Sequence, residues 1–292
     1  MLDGTARVKT TPVGMGTIKN APGYPATMTL IEGALSDIHR EVRDRADEFA
    51  EAVVAPRAEE IERSDDFPRD VVEAAGDYGF LGLLLPEEYG DLTADFLAYC
   101  LTVERIARVS GSVAETIQGH TFAALPIAQF GTPEQHETYL EPMAAGEAVG
   151  AMLLTEPGAG SSPSGLEAVA EETDSGYRLS GEKAFGTNAG VADVHLVVAR
   201  KRPQPDDSHG VSVFIVRSVD ETTGFTFDRG EFMGMRGHVT GDSTLDGVAV
   251  DADALLGDIG QGFRIAMGTI DMARTGLGAI GTGIARAALD RA

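Results

Sequence analysis

From Leu30 the apolar positions Ile31, Leu35, Ile38, Val42, Phe49 and Val53 recur at helical spacing, up to Pro56, which cannot continue a helix. A second helix is predicted from Pro68, with Val71, Val72, Ala75 and Tyr78 on one face and Gly79 as its stop. Helical patterns follow from about Thr93 to Val109, from Ala114 to Phe130 and after Pro133, so residues 28–149 are expected to form an all-helical domain. The period changes near Gly150. Short β-branched runs ("HLVVAR", "VSVFIVR", "GFTF", "GVAV") alternate with turn clusters ("TDSGY", "RPQPDDSHG", "DETTG"), which predicts an antiparallel β-domain over 150–257. From Phe263 helical spacing returns, with Met267, Ile270, Ala273, Leu277, Ile280, Ile284 and Ala288 on one face. No partner helix follows that stripe, so 258–292 reads as the start of a helical domain cut short. Residues 1–27 show no periodicity and are expected to be a disordered extension. The fold class expected is α+β and multi-domain.

Composition narrows the function classes. At 292 residues and 43% hydrophobic content the chain can bury a substantial core. A net charge of −23 repels phosphate backbones and anionic headgroups, which argues against nucleic acid or a membrane surface as the main partner. Lysine occurs only at positions 9, 19, 183 and 201; an acidic, lysine-poor surface suits a cytoplasm of high salt, where self-repulsion is screened. With no long apolar run and no signal-like N-terminus, a soluble cytoplasmic protein is expected. Cys100 alone allows no internal disulfide, and no histidine spacing suits a metal.

Two glycine motifs compete for a functional reading. "GLGAIG", Gly276 to Gly281, spells a dinucleotide fingerprint but lies within a helical pattern rather than after a strand, so its glycines are read as aids to close helix packing. "LLTEPGAGSS", Leu153 to Ser162, follows an apolar run instead. Its exposed amides, with the Thr155 and Ser161 hydroxyls, could hold a pyrophosphate without a basic side chain.

That loop resembles the signature of the acyl-CoA dehydrogenase family, and further landmarks follow in the family's order. "FLGLLLPEEYG" (80–90), "FGTPEQHETYLEPMAAGE" (130–147), "LSGEKAFGTNAGVADVHLVVAR" (179–200), "MGMRG" (233–237) and "LLGDIGQGFRIAMGTIDMAR" (255–274) extend the similarity over most of the chain. The resemblance implies an N-terminal helical bundle, a middle antiparallel β-barrel and a C-terminal helical bundle, with FAD as cofactor and a homotetramer as assembly. It implies FAD contacts from Met152, Leu154, Thr155, Gly160, Ser161, Phe185, Gly186 and Thr187. Phe185 stands at a tryptophan position stacked on the flavin, and Thr187 at a hydroxyl facing flavin N5. Ser161, Asp271, Arg274 and Gln118 are implied as substrate contacts, Gln118 by position alone. Asp271 and Arg274 share a helix face, where a simple ion pair is the competing reading.

The implied reaction is α,β-dehydrogenation of an acyl-CoA thioester, with electrons passed on to an electron-transfer flavoprotein. A base must take the α-proton opposite the flavin. Where some relatives carry that base, just before the arginine, this sequence has Ala273, so no catalytic residue is assigned. Because the loop that carries it in most members and much of the bundle lie past residue 292, the expectation is an incomplete dehydrogenase, inactive and unable to retain FAD as this chain alone. A non-catalytic flavin and acyl-CoA binding subunit completed by a partner chain, and a flavin monooxygenase-type relative, are the rival readings. Ser162 replaces the family's aspartate, which puts the rigidity of the loop in question.

Overall fold

The computed structural model describes residues 35–64, 66–90, 92–162, 165–202 and 210–292; the expected extension over 1–27 lies outside them. Six α-helices lead: α1 (Asp37–Phe49), α2 (Ala58–Arg63), α3 (Arg69–Asp77), α4 (Phe96–Ala107), α5 (Gly111–Phe130) and α6 (Pro133–Ala145). Local chemistry sets their ends. Asp95 caps α4 by accepting from the Leu97 and Ala98 amides, and its carboxylate also meets His39 Nε2 at 2.9 Å, tying α1 to α4. Thr132 and Gln135 form a reciprocal cap on α6, with Pro133 at its first position and left-handed Gly146 after its end. Past α1 the chain widens into a five-residue turn, Ala50–Val54, where Ala55 N donates to Ala50 O at 2.8 Å ahead of Pro56. Phe49, Tyr78 and Phe80 meet with ring centroids 5.3–5.8 Å apart at the centre of this helical core.

The strands are β1 (Gly150–Leu153), β2 (Val169–Glu172), β3 (Gly176–Thr187), β4 (Val194–Arg202), β5 (Val211–Arg217), β6 (Phe225–Arg229), β7 (Thr240–Asp251) and β8 (Leu255–Leu256). They form one sheet in the order β6-β7-β3-β2-β4-β5-β8. This corrects the expected closed antiparallel barrel: the described strands make an open, mixed sheet. Strand β4 explains the mixture. One of its edges pairs with antiparallel β5, while the other is shared in tandem by β1, against Val194–Val197, and β2, against Arg200–Arg202, both parallel. Two strands of four residues each carry too short a pattern to reveal that direction.

Strands β4 and β5 are buried on both faces, as their unbroken apolar runs require. Val194, Leu196, Val198, Val213 and Ile215 face α5 and α6; Val197, Ala199, Phe214 and Val216 face a second core closed by Leu179, Phe225 and Leu245. The last helix, α7 (Gly262–Arg291), packs against α4 and α5 and against β4 and β5. The glycine reading of "GLGAIG" holds only at Gly276, where a Cβ would come within 2.3 Å of Gln118 Oε1. Gly278 and Gly281 face open space, so no packing demand explains them. Among the described residues no helix is long and apolar enough to cross a membrane.

Candidate flavin site

At the end of β1 the chain leaves the sheet with Met152, Leu154 and Thr155 half-buried between buried Ala151, Leu153 and Glu156. This alternation is the strand period running into the loop. Gly158, Gly160 and Ser161 are exposed, and a Cβ built on Gly158 or Gly160 would touch nothing within 4 Å, so their backbone is open to a ligand.

The loop is anchored from below by a pair that sequence reasoning passed over. Lys183 on β3, fully buried, donates to Glu156 Oε1 at 2.7 Å and to Leu154 O at 3.2 Å. The Glu156 carboxylate also accepts from Glu167 N at 2.5 Å and Ala168 N at 3.0 Å, so it joins both ends of the excursion between β1 and β2. Ala184 N donates to Thr155 O at 2.8 Å and Glu156 and Ala159 bridge each other, completing the clasp. Burial lowers the lysine's affinity for its proton, an effect the neighbouring carboxylate opposes. The signal was present as an acidic residue before Pro-Gly and a lone lysine in a strand, both in a chain with very little lysine.

Next to Lys183 the β3–β7 register shifts, and Phe185 adopts a left-handed φ of 55°, rare for a non-glycine residue. Its amide donates to Asp242 Oδ1 at 3.3 Å and its ring is 66% exposed, 6.5 Å from the Phe232 ring. Met233 beside Phe232 is wholly exposed. Gly186 is buried, its missing Cβ making room for Leu153 and Ala189, so its role is to let β3 close on β1. Thr187 is half-buried, and Asn188 takes a left-handed φ of 66°. Asn188 Nδ2 donates to Thr116 O at 3.0 Å and Gly150 O at 3.2 Å, which draws together β1, the end of β3 and α5. Gly119 of α5 lies so close to Thr187 that a Cβ would meet its Cγ2 at 2.6 Å.

The structure thus brings Leu154, Thr155, Phe185 and Thr187 to one end of β1 and β3, under α5. The remaining expected residues are placed differently. Asp271 and Arg274 are exposed on α7 and bond to each other at 3.1 Å, as the ion-pair reading required. Gln118 is buried between α5 and α7; its Nε2 donates to Glu115 Oε2 at 3.0 Å and its Oε1 has no partner. Ala273 is half-buried on α7. A cavity of about 1130 Å³ lies elsewhere, between the start of α6, the β2–β3 turn and the end of β7. Glu134, Asp174, Glu221, Asp251 and Asp253 line it against Arg178 and Arg217, and none of the expected site residues does.

Residues 36–147 match the model of the acyl-CoA dehydrogenase N-terminal domain and residues 151–248 that of the acyl-CoA dehydrogenase middle domain. The chain is 37% identical over 253 residues to an acyl-CoA dehydrogenase of Bacillus subtilis (strain 168), covering 86% of this chain and 66% of the relative. It is similar to the solved structure of butyryl-CoA dehydrogenase from Megasphaera elsdenii, with a TM-score of 0.81 and 37% identity over 88% of this chain and 68% of that one. An acyl-CoA dehydrogenase complexed with FAD from Bacillus anthracis superposes with a TM-score of 0.78 at 32% identity, over 86% of this chain and 43% of that one. The chain spans about two thirds of the length of the curated relatives it matches.

Proposed function

We propose, on the premise that this chain belongs to the acyl-CoA dehydrogenase family, that it binds FAD between β1, β3 and the Leu153–Ser162 loop and serves the α,β-dehydrogenation of an acyl-CoA thioester. The observation that carries the reading is Phe185: an aromatic ring 66% exposed, on a left-handed backbone, at the strand end where Thr155 and Thr187 bring hydroxyls. A flat cofactor ring gives that exposed face a partner, and the strain of its backbone a purpose. The residues present fit the cofactor. Phe185 offers a stacking face, Thr155 and Thr187 offer hydroxyls to a ring edge, and Met152 and Leu154 offer apolar wall. The open amides at Gly158 and Gly160, with Ser161, suit a pyrophosphate, while Gly186 supports the stack from within.

When bound, FAD supplies a two-electron acceptor. The chain's own residues hold and orient: the Glu156–Lys183 pair keeps the loop in one shape without presenting a charge to the ligand, since both side chains are buried. Asp271 and Arg274 are read as contacts for the thioester's pantetheine arm and Gln118 as the inner end of the acyl cleft. A methyl group at Ala273 accepts no proton, so the base acts from another position. Electron-transfer flavoprotein as redox partner and a homo-oligomer as assembly belong to the same reading.

Fluorescence titration of FAD onto the chain tests it. Phe185→Ala should weaken FAD binding roughly threefold to tenfold with an unchanged melting temperature, because an exposed ring contributes little to the core. Equal affinity in both proteins would refute the stacking role. Anaerobic bleaching of the flavin absorbance by an acyl-CoA tests the reaction: with no base assigned in this chain, none is expected from it alone, and turnover above background would overturn the missing base.

A further inference from the structure

Along the first half of α5 only Gly111, Glu115 and Gly119, spaced one turn apart, are partly open; every residue between them is buried. The row runs from Thr187, against which Gly119 rests, to Ile284 of α7 and Met235, which crowd Gly111. Glu115 stands midway, one turn from Gly119. Among the described residues its carboxyl has a single hydrogen bond, from Gln118 Nε2. Burial raises it to about pKa 7, so near neutrality it is a hydrogen-bonding group poised between its two protonation states.

The groups behind it are short of partners as well. Gln118, 4% exposed, leaves Oε1 unbonded, and the fully buried Tyr99 hydroxyl, a donor, has only the Thr121 hydroxyl beside it, which donates to Ile117 O and can accept from Tyr99. Gly276 of α7 closes on the same spot, where a Cβ would reach both Gln118 Oε1 and the Tyr99 ring. Buried polar atoms are almost always paired, so the unbonded Gln118 Oε1, an acceptor on the amide that also meets the Glu115 carboxyl, marks a place where a ligand can supply a donor. A plain alkyl chain laid along this row would strip water from the carboxyl and return nothing.

We propose that the acyl chain this protein selects carries a hydrogen-bond donor, a hydroxyl group, which Glu115 accepts with Gln118 behind it. The proposal rests on the acyl-CoA reading above and adds the substrate class.

The test is calorimetric titration of the FAD-saturated chain with butanoyl-, hexanoyl- and octanoyl-CoA, each against its terminal-hydroxy counterpart. Wild-type protein should bind at least one hydroxylated thioester about tenfold more tightly than its alkyl partner. Glu115→Leu should abolish that preference or reverse it, and isosteric Glu115→Gln, which guards against a folding defect, should fall between. Equal affinities across every wild-type pair, or a preference that survives in Glu115→Leu, would overturn the proposal. If the protein binds FAD and melts cooperatively yet takes neither free CoA nor any thioester, the acyl-CoA reading itself fails, and this proposal with it.

Discussion

Removal of the ammonium at Lys183 should expose how the glycine-rich loop is held. In Lys183→Met a carboxylate remains buried with only the Glu167 and Ala168 amides to accept from, and the Leu154 carbonyl loses its donor. Breaking a buried pair by deleting one partner costs about 3–5 kcal/mol, most of it from the stranded charge. Glu156→Gln strands the ammonium instead and should cost a similar amount. The double variant leaves no buried charge; it forfeits the charge-assisted bonds, each worth about 1.5–3 kcal/mol, but keeps a side-chain amide oxygen that can still accept from one of the two loop amides. The double variant should therefore be more stable than either single one, with a coupling energy of at least about 3 kcal/mol in a double-mutant cycle. Urea unfolding of the four proteins, with slopes compared to confirm a common transition, gives the four free energies. Singles that each cost under about 1 kcal/mol, or a double equal to their sum, would refute the idea that this pair is a buried clasp.

Two further outcomes follow. Burial raises Glu115 to about pKa 7 and lowers His120 to about 4, and the signs oppose. A carboxyl raised on folding adds stability below its unfolded value near 4.5 and loses it as pH climbs through 7. A histidine lowered on folding adds stability above its unfolded value near 6.5 and loses it as pH falls through 4. The two slopes cancel between about pH 5 and 6.5, so Glu115→Gln should steepen the rise of stability over that window by about 1 kcal/mol per pH unit and add roughly 3 kcal/mol at pH 8. Urea midpoints across pH 5–8 check it, and an unchanged slope would sink the assignment. The net charge of −23 predicts a melting temperature that climbs from dilute buffer to molar potassium chloride as self-repulsion is screened; a flat dependence would end the salt-adaptation reading.

Long periodic segments were legible in the sequence because period and caps agreed. The helices α3, α5 and α6 lie where Pro68, Phe130 and Pro133 marked boundaries, and the runs "HLVVAR" and "VSVFIVR" became β4 and β5. Sheet topology was less legible. "GAML" and "VAEE" are too short to show an alternation, and their parallel pairing to β4 is decided by the chain's route between them. At the site, local features such as glycines and hydroxyls could be read, whereas Glu115, Glu156, Lys183 and Asn188 could not. Their roles depend on burial and on partners 27 to 72 residues away or on a helix face with no neighbour in sequence. The family resemblance supplied positions for ligand contacts, but not the clasp beneath them.

Helix α7 bears on how wide the site is. One end rests on the sheet, where a Cβ on Gly262 would strike the Ser212 backbone at 2.6 Å; further along, a Cβ on Gly283 would strike Glu104 O of α4 at 2.3 Å. Contacts that tight at both supports make α7 a strut. The helical layer and the sheet cannot swing apart like a clamshell without unseating one end of it, so the groove between β1, β3 and α5 has a width set by backbone contacts rather than by any ligand.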